Sequence, residues 1–270
     1  MESTFLLHKP VVYGSTLANA LFLSVVLLHI IGAAIAPISA VVAFTAGKGR
    51  KSHRWAGQLF AGSMVIVALT GIVLDIVRLC FSVVENHTKY AGYTMPSTYP
   101  ARLGFLFVGL CVLYILREVT PPRVFRPQFR KADTVMPSLL VMTGLALTAI
   151  ITLRLNPWTG ALWMIWTFIL IVVVMARTAP TLYHNRATAV SRHRFGMSCL
   201  AAFSWWGALQ GFGPAIALAI TGDDPSTDAY LGNQPGSFSP AFFLFLVGWA
   251  PFCFLAAYLI RRFKRLHHTY

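Results

Sequence analysis

The sequence predicts an all-α membrane protein, a polytopic bundle of seven transmembrane helices. Of the 270 residues, 57% are hydrophobic and only 11% are charged, which leaves too little polar surface for a soluble globular protein. Apolar segments of about 20 residues recur along the chain, and this is the length that a helix needs to cross a bilayer. We expect helices because in lipid every backbone polar group must be satisfied within its own segment.

The apolar segments fall in one domain that covers residues 1–270. Pro100 and Pro240 suit the first turn of a helix, Asp133 is a good N-cap, and Asn156-Pro157 breaks the chain between the fourth and fifth spans. The seven predicted spans are about 17–45, 55–81, 101–117, 134–153, 159–176, 195–220 and 240–260.

The distribution of positive charge predicts the orientation of the bundle. The formal net charge is +14, and 17 of the 22 Lys and Arg residues fall in alternate connections and the C-terminal tail. By the positive-inside rule, those connections and the C-terminus are cytoplasmic and the N-terminus is outside. We therefore expect an integral protein of the plasma membrane. Basic residues placed between apolar spans do not indicate a nucleic-acid partner.

Short motifs add little chemistry. The sequon Asn86-His87-Thr88 falls in an outer loop, where glycosylation depends on the host. The four cysteines lie in apolar segments without a CxxC pattern, so we predict no metal site. Hydrolase motifs and a phosphate-cradling glycine loop are absent from the sequence, which favours a protein that is not an enzyme. The sequence does not indicate an oligomeric state.

The first two spans organise the chain. Span one carries His29 and Pro37, a basic elbow follows at residues 48–54, and span two carries Asp75 and Arg78. Small residues recur on one stripe of spans one, two and six, which predicts that these three helices meet. The stripes are His29, Ala33, Ala36, Ala40 and Ala43; Gly57, Ala61, Met64, Ala68, Gly71, Asp75 and Arg78; and His193, Met197, Leu200, Ser204, Gly207 and Gly211.

Spans two and six begin alike. Ser52-His53-Arg54 opens span two and Ser191-Arg192-His193-Arg194 opens span six, and a glycine follows each, Gly57 or Gly196. The match indicates either related halves or two short coincidences.

The first half of the chain resembles the uncharacterised membrane-protein family labelled domain of unknown function 2306. That family has a helix with an internal histidine, a Lys-Gly elbow and a His-Arg-x-x-Gly motif, which correspond here to His29, Lys48-Gly49, His53-Arg54 and Gly57. His193 with Met197 is similar to a later motif of the family. The resemblance implies a membrane helical fold and brings no established activity.

The first functional hypothesis is a haem b redox protein, because helical bundles bind haem through histidines on facing helices. The candidate ligands are His53 and His193, which start helices that leave the same face. Arg54 and Arg194 would neutralise the haem propionates. His29 has no histidine partner at its depth, so two haems stacked across the membrane are not expected.

The alternative is a protein without a cofactor that binds or transports an anion, a lipid head group or a proton-coupled small solute. Two helix N-termini with His and Arg side chains form an anion site at the cytoplasmic face. In a third interpretation, the same side chains only anchor helix ends in the head-group region.

An intramembrane pair is also predicted. Counted from the basic elbow, His29 lies about 25 Å and Asp75 about 30 Å above the cytoplasmic boundary, so we expect the two side chains to face each other, with Arg78 one turn beyond. Such a pair would handle protons or orient a ligand. The alternative is that Asp75 pairs with Arg78 while His29 bonds a backbone carbonyl.

Overall fold

A computed structural model describes residues 16–47, 50–81, 98–119, 135–154, 159–177 and 186–221, and these residues are helical with no strand among them. Six of the predicted spans are therefore confirmed as helices, and the segment 240–260 lies outside the described residues. The helices are α1 (Thr16–Thr45), α2 (Lys51–Phe81), α3 (Thr98–Val119), α4 (Val135–Arg154), α5 (Thr159–Arg177) and α6 (Arg186–Thr221).

Three of these helices are long and apolar enough to cross a membrane, over Ala20–Thr45, Lys51–Cys80 and Val135–Arg154. Large apolar side chains cover the outside of the bundle: Leu21 is 60% exposed and Leu153 is 79% exposed. Such a surface suits lipid and not water. The finding indicates an integral membrane protein, and the orientation of the chain and the identity of the membrane stay predictions.

Successive helices at the start of the chain run in opposite directions. A tight turn joins α1 to α2, in which Arg50 N donates to Gly47 O at 3.1 Å. The end of α2 meets the start of α3, because Arg102 Nη1 lies 3.2 Å from Asp75 Oδ1. Helices α1, α2 and α3 therefore alternate in direction, as the predicted topology requires.

The later helices keep this alternation. Gly104 of α3 lies against Ala161 of α5, so these two helices start at the same end of the bundle. Gly196 near the start of α6 lies against Val119, the last residue of α3. Helix α6 therefore starts at the end where α2 starts and α3 finishes.

Helix α3 is the centre of the bundle, because it packs against α2, α4, α5 and α6. The sequence did not indicate this central position, because a central helix and a peripheral helix are both apolar in a membrane protein. Its fully buried side chains are Phe107, Val108, Cys111, Val112 and Ile115.

Four of the helices form a ring. Helix α1 contacts α2 and α6, and α3 contacts the same two helices. Within the described part of the chain, α2 and α6 share no extensive contact, and neither do α1 and α3. The prediction that helices one, two and six meet is therefore right for both pairs that include α1 and wrong for α2 with α6. Helices α4 and α5 pack outside this ring, against α3.

The small-residue stripes are buried in their middle parts. Ala36 and Ala40 of α1 and Met64 and Ala68 of α2 are almost completely buried. Gly57 differs, because a Cβ atom placed there would meet no atom within 4 Å. The glycine that starts the predicted stripe of α2 is thus not needed for close packing.

Candidate functional site

Buried polar side chains are confined to part of the bundle. Among the described residues they belong to α1, α2 and α6, and α4 and α5 contribute none. Glu118 of α3 adds a side chain that is only 9% exposed. Together they make the ring of α1, α2, α3 and α6 the polar side of the molecule. The buried polar residues are Ser39, Ser63, Thr70, Asp75, Arg192, Ser198 and Ser204.

Three of the buried hydroxyls bond to their own helices. Ser39, Ser63 and Ser204 each donate to a backbone carbonyl three or four residues earlier, at 2.8 or 2.9 Å. Such bonds satisfy a hydroxyl within a helix without help from another element. The buried charged groups, which no helix can satisfy alone, therefore define the candidate site.

The first charged group is the Asp75 cluster, which consists of Asp75, Arg78 and Arg102. The Asp75 side chain is 6% exposed and its Oδ1 atom accepts from Arg102 Nη1 at 3.2 Å. Arg78 lies one turn farther along α2 and stacks on the Phe22 ring at 5.5 Å. Arg78 also acts electrostatically on Asp75. The cluster thus joins the ends of α1, α2 and α3.

Sequence reasoning missed Arg102 as the partner of Asp75. Arg102 stands at the start of the predicted span 101–117 and was given no partner, and in the structure it lies in the first turns of α3. A usable signal was present, because antiparallel neighbours bring the end of α2 and the start of α3 to one level. The predicted alternative is half right. Its Asp75–Arg78 ion pair is wrong, because Asp75 pairs with Arg102, whereas His29 does bond a backbone carbonyl, that of Val67.

The predicted direct contact between His29 and Asp75 is not formed. His29 Nδ1 lies 2.9 Å from Thr70 Oγ1, and the Thr70 hydroxyl donates to Ile66 O at 2.6 Å. A hydroxyl has one proton to donate, so Thr70 accepts from His29 and the proton is assigned to Nδ1. Thr70 precedes Asp75 by about 7.5 Å along the helix axis. His29 therefore lies more than one turn short of Asp75.

The second charged group is the Glu118 cluster, which consists of Arg117, Glu118 and Arg192. Glu118 of α3 forms a buried ion pair with Arg192 of α6, whose side chain is 4% exposed. Arg117 Nε lies 3.8 Å from Glu118 Oε1. Sequence reasoning placed Arg192 in a basic loop and gave Glu118 no role. The available signal was an acidic residue in a region otherwise rich in arginine.

In both clusters, an arginine of one helix pairs with a carboxylate of another. In each, one arginine keeps a buried Nε atom without a hydrogen-bond partner in the part of the chain that is described, Arg102 in one and Arg192 in the other. Buried polar groups are normally paired, so a single unpaired donor in a native structure calls for an explanation. Two such donors mark the two ends of α3.

His53 and His193 serve the same structural purpose. His53 Nδ1 lies 2.7 Å from Ala43 O, and His193 Nδ1 lies 2.8 Å from Val119 O. A carbonyl only accepts, so both Nδ1 atoms carry protons. Ala43 and Val119 lie in the last turns of α1 and α3, where carbonyls lack a partner within the helix. Each histidine thus caps a neighbouring helix, which gives the repeated His-Arg motif one physical role.

The other residues of the predicted haem or anion site lie at this same end. Arg54 and Arg194 are exposed near the starts of α2 and α6. His53 leans on α1, whereas His193 leans on α3. The four predicted residues therefore share one end of the bundle and contact different neighbours. Their joint action on one ligand stays a prediction.

The described residues provide no group of three or more His, Cys, Asp or Glu side chains that could hold a metal ion. Three of the cysteines lie within the described helices as free thiols, of which Cys111 and Cys199 are buried and Cys80 is exposed.

Comparison with known proteins finds no family model, no curated protein and no solved structure that matches this chain. The resemblance to the family labelled domain of unknown function 2306 therefore stays a prediction. Function has to be inferred from the charged clusters and their chemistry.

Proposed function

We propose that this protein binds a small anion inside the ring of α1, α2, α3 and α6 and moves it across the bilayer without a bound cofactor. The buried Nε donors of Arg102 and Arg192, which have no hydrogen-bond partner among the described residues, carry this inference. A carboxylate or a phosphate group is the anion that best fits a guanidinium, because it accepts two parallel N–H bonds.

The energetic reason is the cost of charge in a membrane. A charged side chain that is buried in a membrane protein is costly unless it is paired. A bound anion would place a negative charge beside the Arg102 or Arg192 guanidinium. It would also accept from the unpaired Nε atom of Arg102 or Arg192. Both effects favour binding over the empty state.

The buried hydroxyls supply a polar route between the clusters. Ser63 lies near the middle of α2 and Ser204 near the middle of α6, and both are buried. A hydroxyl rotates freely, so it can exchange its bond to the helix backbone for a bond to a passing anion. A solute would therefore meet polar partners between the two ends of the ring.

The orientation predicted from charge belongs to this proposal. More of the described basic residues lie at the Glu118 end, where α2 and α6 start and α3 and α5 finish. That end is then cytoplasmic, in the plasma membrane, and an anion approaching from the cytoplasm meets a positive surface. The basic residues of this end are Arg50, Lys51, Arg54, Arg117, Arg177, Arg192 and Arg194.

We expect succinate or phosphate to raise the melting temperature of the purified protein in detergent, compared with chloride at the same ionic strength. A ligand at 100 times its Kd stabilises the folded state by about 2.7 kcal/mol. Arg102→Gln should reduce this anion-dependent shift, because it removes the charge that faces Asp75. Arg154→Gln is the matched control, since Arg154 is exposed at the end of α4.

Equal melting temperatures in all three salts would count against the anion site. Proteoliposomes then test movement: labelled succinate or phosphate should accumulate with the parent protein and less with Arg102→Gln. Binding without accumulation would restrict the function to a receptor or a lipid-binding protein.

Haem b is a second candidate, and the tautomer of the two capping histidines favours it. With Nδ1 protonated and bonded to a carbonyl, Nε2 of His53 and of His193 has the lone pair that an iron ligand needs. Arg54 and Arg194 at the same end would pair with the propionates. Haem would supply one-electron chemistry. We rank it second because capping of α1 and α3 explains the same histidine bonds without a cofactor.

The absorbance spectrum of the purified protein tests this second candidate. A haem held by His53 and His193 should give a Soret band, and His53→Ala and His193→Ala should each weaken or shift it. His29→Ala is the control, because His29 bonds Thr70 and lies near the Asp75 cluster, at the other end of the bundle from His53 and His193. A colourless preparation, also after haem is supplied during expression, would exclude haem binding.

A further inference from the structure

We propose that the two ion pairs of α3 are gates: Asp75–Arg102 closes the ring at one end and Glu118–Arg192 closes it at the other. The inference goes further than the anion site, because it assigns a role to the ion pairs themselves. It rests on the proposed function only in assuming that the ring encloses a route for a solute.

The first observation is that both pairs involve α3 but tie it to different helices. Arg102 near the start of α3 bonds Asp75 of α2, whereas Glu118 near its end bonds Arg192 of α6. The two α3 residues lie about 24 Å apart along the axis, which is most of the thickness of a hydrocarbon core. One rigid helix thus carries one half of each pair.

The second observation is the packing in the middle of α3. A Cβ atom at Gly109 would lie 2.8 Å from Ile72 Cγ1 and 3.4 Å from Ala68 O. Helix α3 therefore touches α2 backbone to backbone near its midpoint, while its ends are held by side chains. The midpoint contact therefore leaves the position of each end of α3 to the ion pair at that end.

The third observation is the burial of each carboxylate, beside an Arg102 side chain that is 29% exposed and an Arg192 side chain that is 4% exposed. The side chains of Asp75 and Glu118 are 6% and 9% exposed, so each pair holds its carboxylate away from bulk solvent. A buried pair is costly to break unless another charge replaces the lost partner. An anion that binds Arg102 replaces Asp75 as the partner of the guanidinium, and Arg78 keeps a positive charge near the Asp75 carboxylate. Binding at one end would then favour opening at that end.

Cysteine accessibility tests the gates without any knowledge of the solute. The four native cysteines are replaced by serine, and single reporters are placed at the buried positions as Ser63→Cys and Ser204→Cys. A membrane-impermeant anionic methanethiosulfonate is added from one side at a time, to oriented vesicles. Ile66→Cys is the depth-matched control, since Ile66 is 38% exposed on the outer surface of α2.

Neutralising one end should open that end alone. With Asp75→Asn we expect labelling of Ser63→Cys from the Asp75 side to rise about tenfold or more, as an open state populated at about 0.1–10% becomes common. Glu118→Gln should have the same effect on Ser204→Cys from the Glu118 side. The exchange Asp75→Arg with Arg102→Asp restores the pair and should return labelling to the parent rate.

Unchanged labelling in Asp75→Asn, or an equal rise from both sides, would overturn the gates. Arg192→Lys serves as a milder variant at the second end, because it keeps the charge and loses the forked geometry. If Glu118→Gln does not fold, one-sided labelling in Arg192→Lys still supports the gate and unchanged labelling contradicts it. One-sided opening without any anion-dependent stabilisation would refute the proposed function and leave the gates in place.

Discussion

The variant Glu118→Gln is expected to lose about 3–5 kcal/mol of folding free energy, the usual cost of removing one partner from a buried ion pair. The glutamine leaves the Arg192 guanidinium, which is 4% exposed, without a counter-charge in the interior. Arg117 on the same helix then adds repulsion, since it loses the carboxylate at 3.8 Å. Denaturation by sodium dodecyl sulfate in mixed micelles, followed by circular dichroism, measures the loss.

Two further variants show that the loss comes from the unpaired charge. Glu118→Leu combined with Arg192→Leu removes both charges and should be more stable than Glu118→Gln, because apolar side chains of similar volume replace buried pairs at little cost. Arg177→Gln is an exposed control and should change the free energy of unfolding by less than about 0.5 kcal/mol. If Glu118→Gln were as stable as its parent, the ion pair between Glu118 and Arg192 would not be buried.

Gly144→Val is expected to have the second largest effect, a loss of about 3 kcal/mol or more from overpacking. A Cβ atom at Gly144 would lie 2.7 Å from Ile169 Cδ1 and 2.8 Å from Phe107 Cζ. Because both neighbours are buried in the junction of α3, α4 and α5, neither side chain can move away without a new clash. The same denaturation measurement reports the change.

Gly62 provides the matched control on α2. It is exposed, and a Cβ atom there would meet nothing within 4 Å. Gly62→Ala should therefore be neutral or slightly stabilising, since alanine has the higher helix propensity. Equal losses in Gly62→Ala and Gly144→Val would mean that glycine matters through the backbone and not through packing, which contradicts the expected contact with Ile169.

The helices were predictable because their signals are local. Apolar runs located α1 at 17–45, against Thr16–Thr45 in the structure, and α4 at 134–153, against Val135–Arg154. The start of α6 was predicted nine residues late, at 195 instead of Arg186. The first turns of α6 are polar, and a hydropathy window does not register a helix that continues beyond its apolar part.

The charged pairs were not predictable because they depend on which helices become neighbours. Counting residues along α1 and α2 placed His29 and Asp75 within one turn of each other. In the structure, His29 bonds instead to Thr70, which precedes Asp75 on α2. Arg102 and Arg192 lie at the starts of predicted spans, and a sequence shows that a residue begins an apolar span but not that its side chain turns inward. Both ion pairs form because α3 lies at the centre of the bundle, next to α2 and α6.

The two histidine caps have a consequence for the order in which the chain assembles during synthesis. The partners His53 and Ala43 are 10 residues apart, whereas His193 and Val119 are 74 residues apart. Short loops close early and long ones late, because closure entropy and the emergence of the chain both delay distant contacts. The hairpin of α1 and α2 can therefore be completed soon after it enters the membrane. The end of α3 has to wait for α6, with an uncapped carbonyl and the Glu118 carboxylate still unpaired, and this interval is when the nascent protein is most vulnerable to quality control.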